Sequence, residues 1–134
     1  MFHDISPNMQ QVMRALEEQV ARDQPSLRSV SEEVGRCLAL LAISAPQGAF
    51  LELGSSGGYS SLWLSLAARA RGATLTTVDL NEKKVALARE NIGRAGAEGL
   101  QDGRAAGEVG ELGGEGKPLQ LARRAQRRLL CFAC

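Results

Sequence analysis

The run Phe50-Leu51-Glu52-Leu53-Gly54-Ser55-Ser56-Gly57-Gly58-Tyr59-Ser60 constrains this chain more than any other part of it. A short apolar stretch enters a loop of glycine and small hydroxyl residues, and an apolar segment of helical length follows. A parallel α/β sheet builds a nucleotide-type site in this way, at the carboxyl end of a strand and the N-terminus of the next helix. The plainer alternative is a glycine-rich connection with no ligand.

The loop departs from the dinucleotide fingerprint Gly-x-Gly-x-x-Gly, because Ser56 stands where the second glycine belongs. Glu52 precedes the loop at the strand end, and its carboxylate repels a pyrophosphate. A ligand carrying sulfonium and ammonium groups accepts that charge, so S-adenosylmethionine is favoured over NAD. One crossover later, Ala73-Thr74-Leu75-Thr76-Thr77-Val78 reads as a second parallel strand that ends at Asp79, 25 residues past Gly54. An acidic side chain at that tip can accept hydrogen bonds from both ribose hydroxyls of an adenosine. Its alternative role is a helix cap, for which Asn81 is better placed. Ser60, in the first helical turn, is either a hydroxyl donor to the ligand or an N-cap, and Tyr59 is either a wall of the pocket or a packed surface aromatic.

Glu52-Leu53-Gly54-x-x-x-Gly58-Tyr59-Ser60 followed by Thr77-Val78-Asp79 resembles the class I S-adenosylmethionine-dependent O-methyltransferases related to catechol and caffeoyl-CoA O-methyltransferases. The segment Val30-Ser31-Glu32-Glu33-Val34-Gly35, the opening Met1-Phe2-His3-Asp4-Ile5 and Arg22-Asp23 are similar to the corresponding parts of bacterial members. The resemblance implies a Rossmann-like, doubly wound parallel sheet. It also implies that Glu52, Gly54, Ser55 and Ser60 hold the methionine end of the cofactor, that Val30 adds a backbone contact, and that Asp79 holds the ribose. The implied reaction moves a methyl group to a hydroxyl of a small phenolic or catechol-like acceptor. A divalent metal such as Mg and a homodimer belong to the same implication, but no metal ligands and no catalytic residues are recognisable in the chain.

At 134 residues there is room for one domain. A net charge of +1 gives no electrostatic case for nucleic acid or acidic lipid. There is neither a signal-like N-terminal segment nor an apolar run of membrane-spanning length, so a cytoplasmic protein is expected. Ser6-Pro7 starts a helix with Met9, Val12, Met13, Leu16 and Val20 on one face, ending at Pro25. Ser29-x-x-Glu32 is a candidate capping box for a second helix, with Val34, Leu38, Leu41 and Ala42 as its buried stripe. Leu62, Trp63, Leu66, Ala67 and Ala70 mark a third helix. Asn81 caps a fourth, with Val85, Ala88, Ile92 and Ala95 inward. Lys83, Lys84, Arg89 and Arg94 make a solvated face. Cys37 reads as a small buried apolar residue, Cys131-x-x-Cys134 lacks the second pair of a zinc site, and His3 lies near a terminus.

Residues 1–97 thus read as the N-terminal part of a methyltransferase domain, and 98–134 as an atypical tail rich in glycine and arginine. The family's third and fourth strands are not recognisable there. A frameshifted or prematurely ended reading frame is the first account of the tail, a natural short variant with a disordered tail the second, and a basic amphipathic helix the third. With two strands alone, one wall of the cofactor pocket is missing and much apolar surface is left exposed, which predicts a marginal or self-associating fold. The rival functions are a non-catalytic remnant that at most binds S-adenosylmethionine and, less favoured, a fragment of a dinucleotide-dependent oxidoreductase.

Overall fold

The structure, a computed structural model, describes residues 5–22, 29–97, 107–111 and 129–133. Two helices lead into the sheet. Helix α1 spans Pro7–Arg22 and buries Met9, Val12, Met13 and Leu16, the expected face, with Val20 half-buried. Ser6 Oγ accepts from the Met9 amide at 3.2 Å and so caps the first turn.

Helix α2, Glu32–Ser44, begins two residues later than the Ser29 box implied. Ser31 is the N-cap, and its hydroxyl accepts from the Val34 amide at 3.4 Å. This start puts Glu32 and Glu33 in the first turn, where the helix dipole favours negative charge. The Ser31 hydroxyl, followed by a backbone amide, holds the Glu33 carboxyl below its usual range. The buried stripe is Gly35, Ala39 and Ala42 rather than the expected Val34, Leu38, Leu41 and Ala42. Val34 and Leu41 are exposed and Leu38 is half-buried. Trp63 explains the difference. A Cβ on Gly35 would sit 2.2 Å from the Trp63 ring, so the indole occupies the space above the glycine and the helix turns small residues toward it. Cys37, expected inside, is exposed for the same reason of helical phase. Pro25 and His3 lie outside the described residues.

Strand β1 is Ala49–Leu53, helix α3 Tyr59–Arg71, strand β2 Leu75–Asp79 and helix α4 Glu82–Arg94. Asn81 Oδ1 caps α4 by accepting from the Lys83 and Lys84 amides. Two further strands follow, β3 at Gly107–Glu111 and β4 at Leu129–Ala133. All pairings are parallel, and the order is β3-β2-β1-β4. This is the order of a doubly wound fold, with its topological switch point between β1 and β4.

The third and fourth strands, not recognisable in the sequence, are thus present, β3 beside β2 and β4 beside β1, within what is still only part of the doubly wound fold. Strands of a parallel sheet need not alternate in polarity, which removes the usual sequence signal. Leu129-Leu130-Cys131-Phe132-Ala133 is a continuous apolar run of that kind, hidden behind the arginines at 123–128. Gly107-Glu108-Val109-Gly110-Glu111 has almost no intrinsic strand preference and depends on its pairing with β2.

Helix α3 lies against α2, α1, α4 and β2. One core cluster joins Met9, Leu16, Leu62, Trp63, Val85, Ala88 and Ile92, and a second joins Phe50, Leu64, Ala67 and Leu75 between strands and helix. Among the described residues no helix is long and apolar enough to cross a membrane.

Candidate functional site

The carboxyl ends of β1 and β2 meet at the glycine loop. Register pairs Glu52 with Thr77 and Leu53 with Val78. Side chains alternate along a strand, so Glu52, Thr77 and Asp79 share one face of the sheet. The Val78 carbonyl accepts from the amides of both Gly54 and Ser55, at 2.8 and 3.2 Å, and bends the chain out of β1. Gly54 has φ 97° and Gly58 φ 90°, values that a residue with a Cβ adopts only under strain. Ser56 takes φ 44° between them. The Gly58 amide donates to the Ser55 carbonyl at 2.7 Å and closes the turn.

Asp79 holds this loop from the neighbouring strand. Its Oδ2 accepts from the Ser56 amide at 2.9 Å, and its Oδ1 accepts from the Asn81 amide at 3.0 Å. The carboxylate is half-buried and oriented by two backbone donors. Four lone-pair positions with two such donors leave acceptor capacity for a pair of hydroxyls. Helix capping falls to Asn81, as expected.

Glu52 has a different setting. It is fully buried, and its carboxylate accepts from Ser60 Oγ at 2.5 Å, from Thr77 Oγ1 at 2.6 Å and from Ser61 Oγ. Strand alternation turns it under α3, so it is enclosed rather than open toward the loop. Ser60 accordingly spends its hydroxyl on Glu52 and is not the N-cap; Gly58 holds that position, and no side chain caps α3. The first amides of a helix have no partner within it, so an uncapped start beside a loop is an anion-ready edge.

Tyr59 is buried rather than a surface aromatic, and its hydroxyl donates to Glu17 of α1 at 2.5 Å, a link between helices. Burial first, then this hydrogen bond, pushes the phenol well above its usual range. Trp63 is core, with the Arg36 guanidinium 5.4 Å from its ring centroid. Val30 is half-buried against the cluster that contains Tyr59 and Trp63, and its carbonyl accepts from Ser29 Oγ at 3.4 Å.

Two buried hydroxyl oxygens in the loop, Ser55 Oγ and Ser56 Oγ, have no hydrogen-bond partner among the described residues. Buried polar atoms in native proteins are nearly always satisfied. Two orphans on one loop, beside an oriented carboxylate and an uncapped helix, fit a polar ligand such as the methionine and ribose portions of S-adenosylmethionine. Among the described residues no three His, Cys, Asp or Glu side chains come together, so no ligand set for a divalent metal is assigned.

Sequence reasoning passed over Ser61, Thr77 and Asn91. The first two follow from register, since Thr77 is the β2 partner of Glu52 and Ser61 adjoins Ser60. Asn91 is buried and donates to the Gly57 carbonyl at 2.9 Å; its signal was an amide inside a helix next to the apolar Ile92.

Known proteins resemble this chain in sequence and in fold. A catechol O-methyltransferase of Niastella koreensis is 41% identical over 68 residues, 51% of this chain and 30% of that protein. A catechol O-methyltransferase of Mycobacterium tuberculosis is 31% identical over 107 residues, 69% of this chain and 48% of that protein. The chain thus spans about half or less of the length of these curated relatives. The Bacillus cereus O-methyltransferase solved with S-adenosylhomocysteine shares the fold, with a TM-score of 0.57 at 24% identity over 99% of this chain and 57% of its own. The family profile described as O-methyltransferase matches residues 3–108, which takes in both strands of the site, the loop and the Asp79 tip. On the strength of that match the chain belongs to the O-methyltransferase family and carries part of the class I methyltransferase fold.

Proposed function

We propose that this chain binds S-adenosylmethionine in the crevice between the glycine loop and the tip of β2. As part of a family member, it would serve methyl transfer to a hydroxyl of a small phenolic or catechol-like acceptor. The observation that carries the reading is the hydrogen bond from the Ser56 amide to Asp79 Oδ2, which joins loop and strand tip into one oriented cradle. Asp79 accepts from the ribose hydroxyls. The amides at the start of α3, the backbone of Gly54 and the Ser55 hydroxyl receive the methionine end, and Val30 adds a backbone contact. Glu52 and Ser60 serve the same end from beneath, by fixing the first turn of α3.

When bound, the cofactor would supply an electrophilic methyl carbon on its sulfonium, to be taken by the acceptor oxygen as the carbon–sulfur bond breaks, S-adenosylhomocysteine leaves with that electron pair and the hydroxyl proton passes to solvent. The described residues bind and orient; no general base and no metal-assisted step is assigned to them. The catechol O-methyltransferase relatives support the acceptor class. A second reading is a binding remnant without activity, since among the described residues no three metal-ligating side chains come together.

Calorimetric titration of the purified chain with S-adenosylhomocysteine and, separately, NADH tests the reading. Binding of the first alone is expected. Binding of NADH alone, or of neither, contradicts it. A catechol methylation assay with magnesium then separates enzyme from remnant.

A further inference from the structure

Asn91 lies late in α4, 34 residues from the loop in sequence, and is only 5% exposed. An amide in the buried side of a helix is costly unless its polar atoms are used. Here Nδ2 donates to the Gly57 carbonyl at 2.9 Å. One turn earlier on α4, Ala88 lies under Gly58, where an added Cβ would come 3.3 Å from the Ala88 Cα. Two residues spaced i and i+3 on α4 therefore press on two consecutive residues of the loop.

The Gly57 carbonyl and the Gly58 amide belong to one planar peptide unit and point in opposite directions. With the carbonyl held by Asn91, the amide is aimed at the Ser55 carbonyl, 2.7 Å away. That bond closes the turn carrying the Ser55 hydroxyl, and the same peptide leads directly into the uncapped start of α3. Glycines on both sides leave the unit free to rotate by themselves. The side chain that stops it is supplied from α4.

The geometry points to Asn91 as a positioning residue for the cofactor. Through Gly57 it keeps the loop peptide in the orientation that presents Ser55 and the first amides of α3 to the ligand. This rests on the proposed reading of the loop as an S-adenosylmethionine site.

The test is Asn91→Asp, with affinity for S-adenosylhomocysteine measured by calorimetry from about pH 8 to about pH 5 and divided by that of the unaltered chain at each pH. A carboxylate cannot donate to the Gly57 carbonyl, whereas a carboxylic acid can. Burial beside a carbonyl oxygen raises the pKa of the introduced group into this range. The variant should bind roughly ten-fold more weakly at the upper end and recover toward the unaltered chain at the lower end. A ratio of one at every pH overturns this inference and leaves the site reading standing. Absence of binding by the unaltered chain overturns both.

Should the variant fail to fold, the unaltered protein decides by NMR. The Gly58 amide and the Asn91 side-chain amide resonances are expected to shift together on addition of S-adenosylhomocysteine. Binding that moves neither contradicts the assignment.

Discussion

Glu52 and Asp79 stand at the same end of adjacent parallel strands, on the same face of one sheet, yet their surroundings differ. Glu52 is sealed beneath α3 among the hydroxyls of Ser60, Ser61 and Thr77. Asp79 sits half-buried at the rim, gripped by two backbone amides with capacity to spare. A position two residues nearer the strand tip converts a carboxylate that organises the interior into one that can meet a ligand. The loop bend explains the change, since the chain leaves β1 at Gly54 and uncovers the end of β2.

The largest expected effect is on the enclosed carboxylate. Glu52→Ala strands three buried hydroxyls and opens a cavity, so urea unfolding should show a loss of about 3 kcal/mol or more. If stability is unchanged and only affinity falls, the contrast between the two sites is wrong. Asp79→Asn should do the reverse. Affinity for S-adenosylhomocysteine drops by about one to two decades, or ~1.5–3 kcal/mol, while stability falls by about 1 kcal/mol, less than at Glu52, because the amide keeps one of the two acceptor oxygens.

Gly35→Ala sharpens the comparison as a change that touches neither carboxylate directly. Its methyl meets the Trp63 ring, so stability should fall by about 1–3 kcal/mol with affinity per folded molecule intact. Ser55→Ala removes an orphan hydroxyl, so stability should stay within about 0.5 kcal/mol while ligand affinity weakens several-fold.

The smallest effect concerns Tyr59, the one tyrosine in the chain, whose ionisation is read directly by ultraviolet absorbance. Its raised folded-state pKa means that the associated stability is complete below the usual phenol value near 10 and is lost as the pH climbs above it. A titration at the ordinary phenol pKa would remove the Glu17 link from the account.

Most of the site was legible because its signals are local. Gly54 and Gly58 demand a bend, Asp79 follows a β-branched run, and Asn81 precedes a helical period. What stayed hidden depends on contacts across the fold. The enclosure of Glu52 requires knowing that Thr77 is its register partner, and the outward turn of Val34, Leu41 and Cys37 requires knowing that Trp63 fills the space over Gly35. Strand β3 carries little local preference and β4 is an apolar run without alternation to mark it, and each takes its place by pairing with an inner strand.

The central claim is that the Asp79 carboxylate receives the ribose of an adenosyl ligand. A double-mutant cycle measures this directly, with the unaltered chain and Asp79→Ala each titrated with S-adenosylhomocysteine and with its 2′-deoxy counterpart. Loss of the hydroxyl should cost the unaltered chain about ten-fold in affinity and the variant almost nothing. Equal penalties in the two proteins would place the ribose elsewhere and contradict the account.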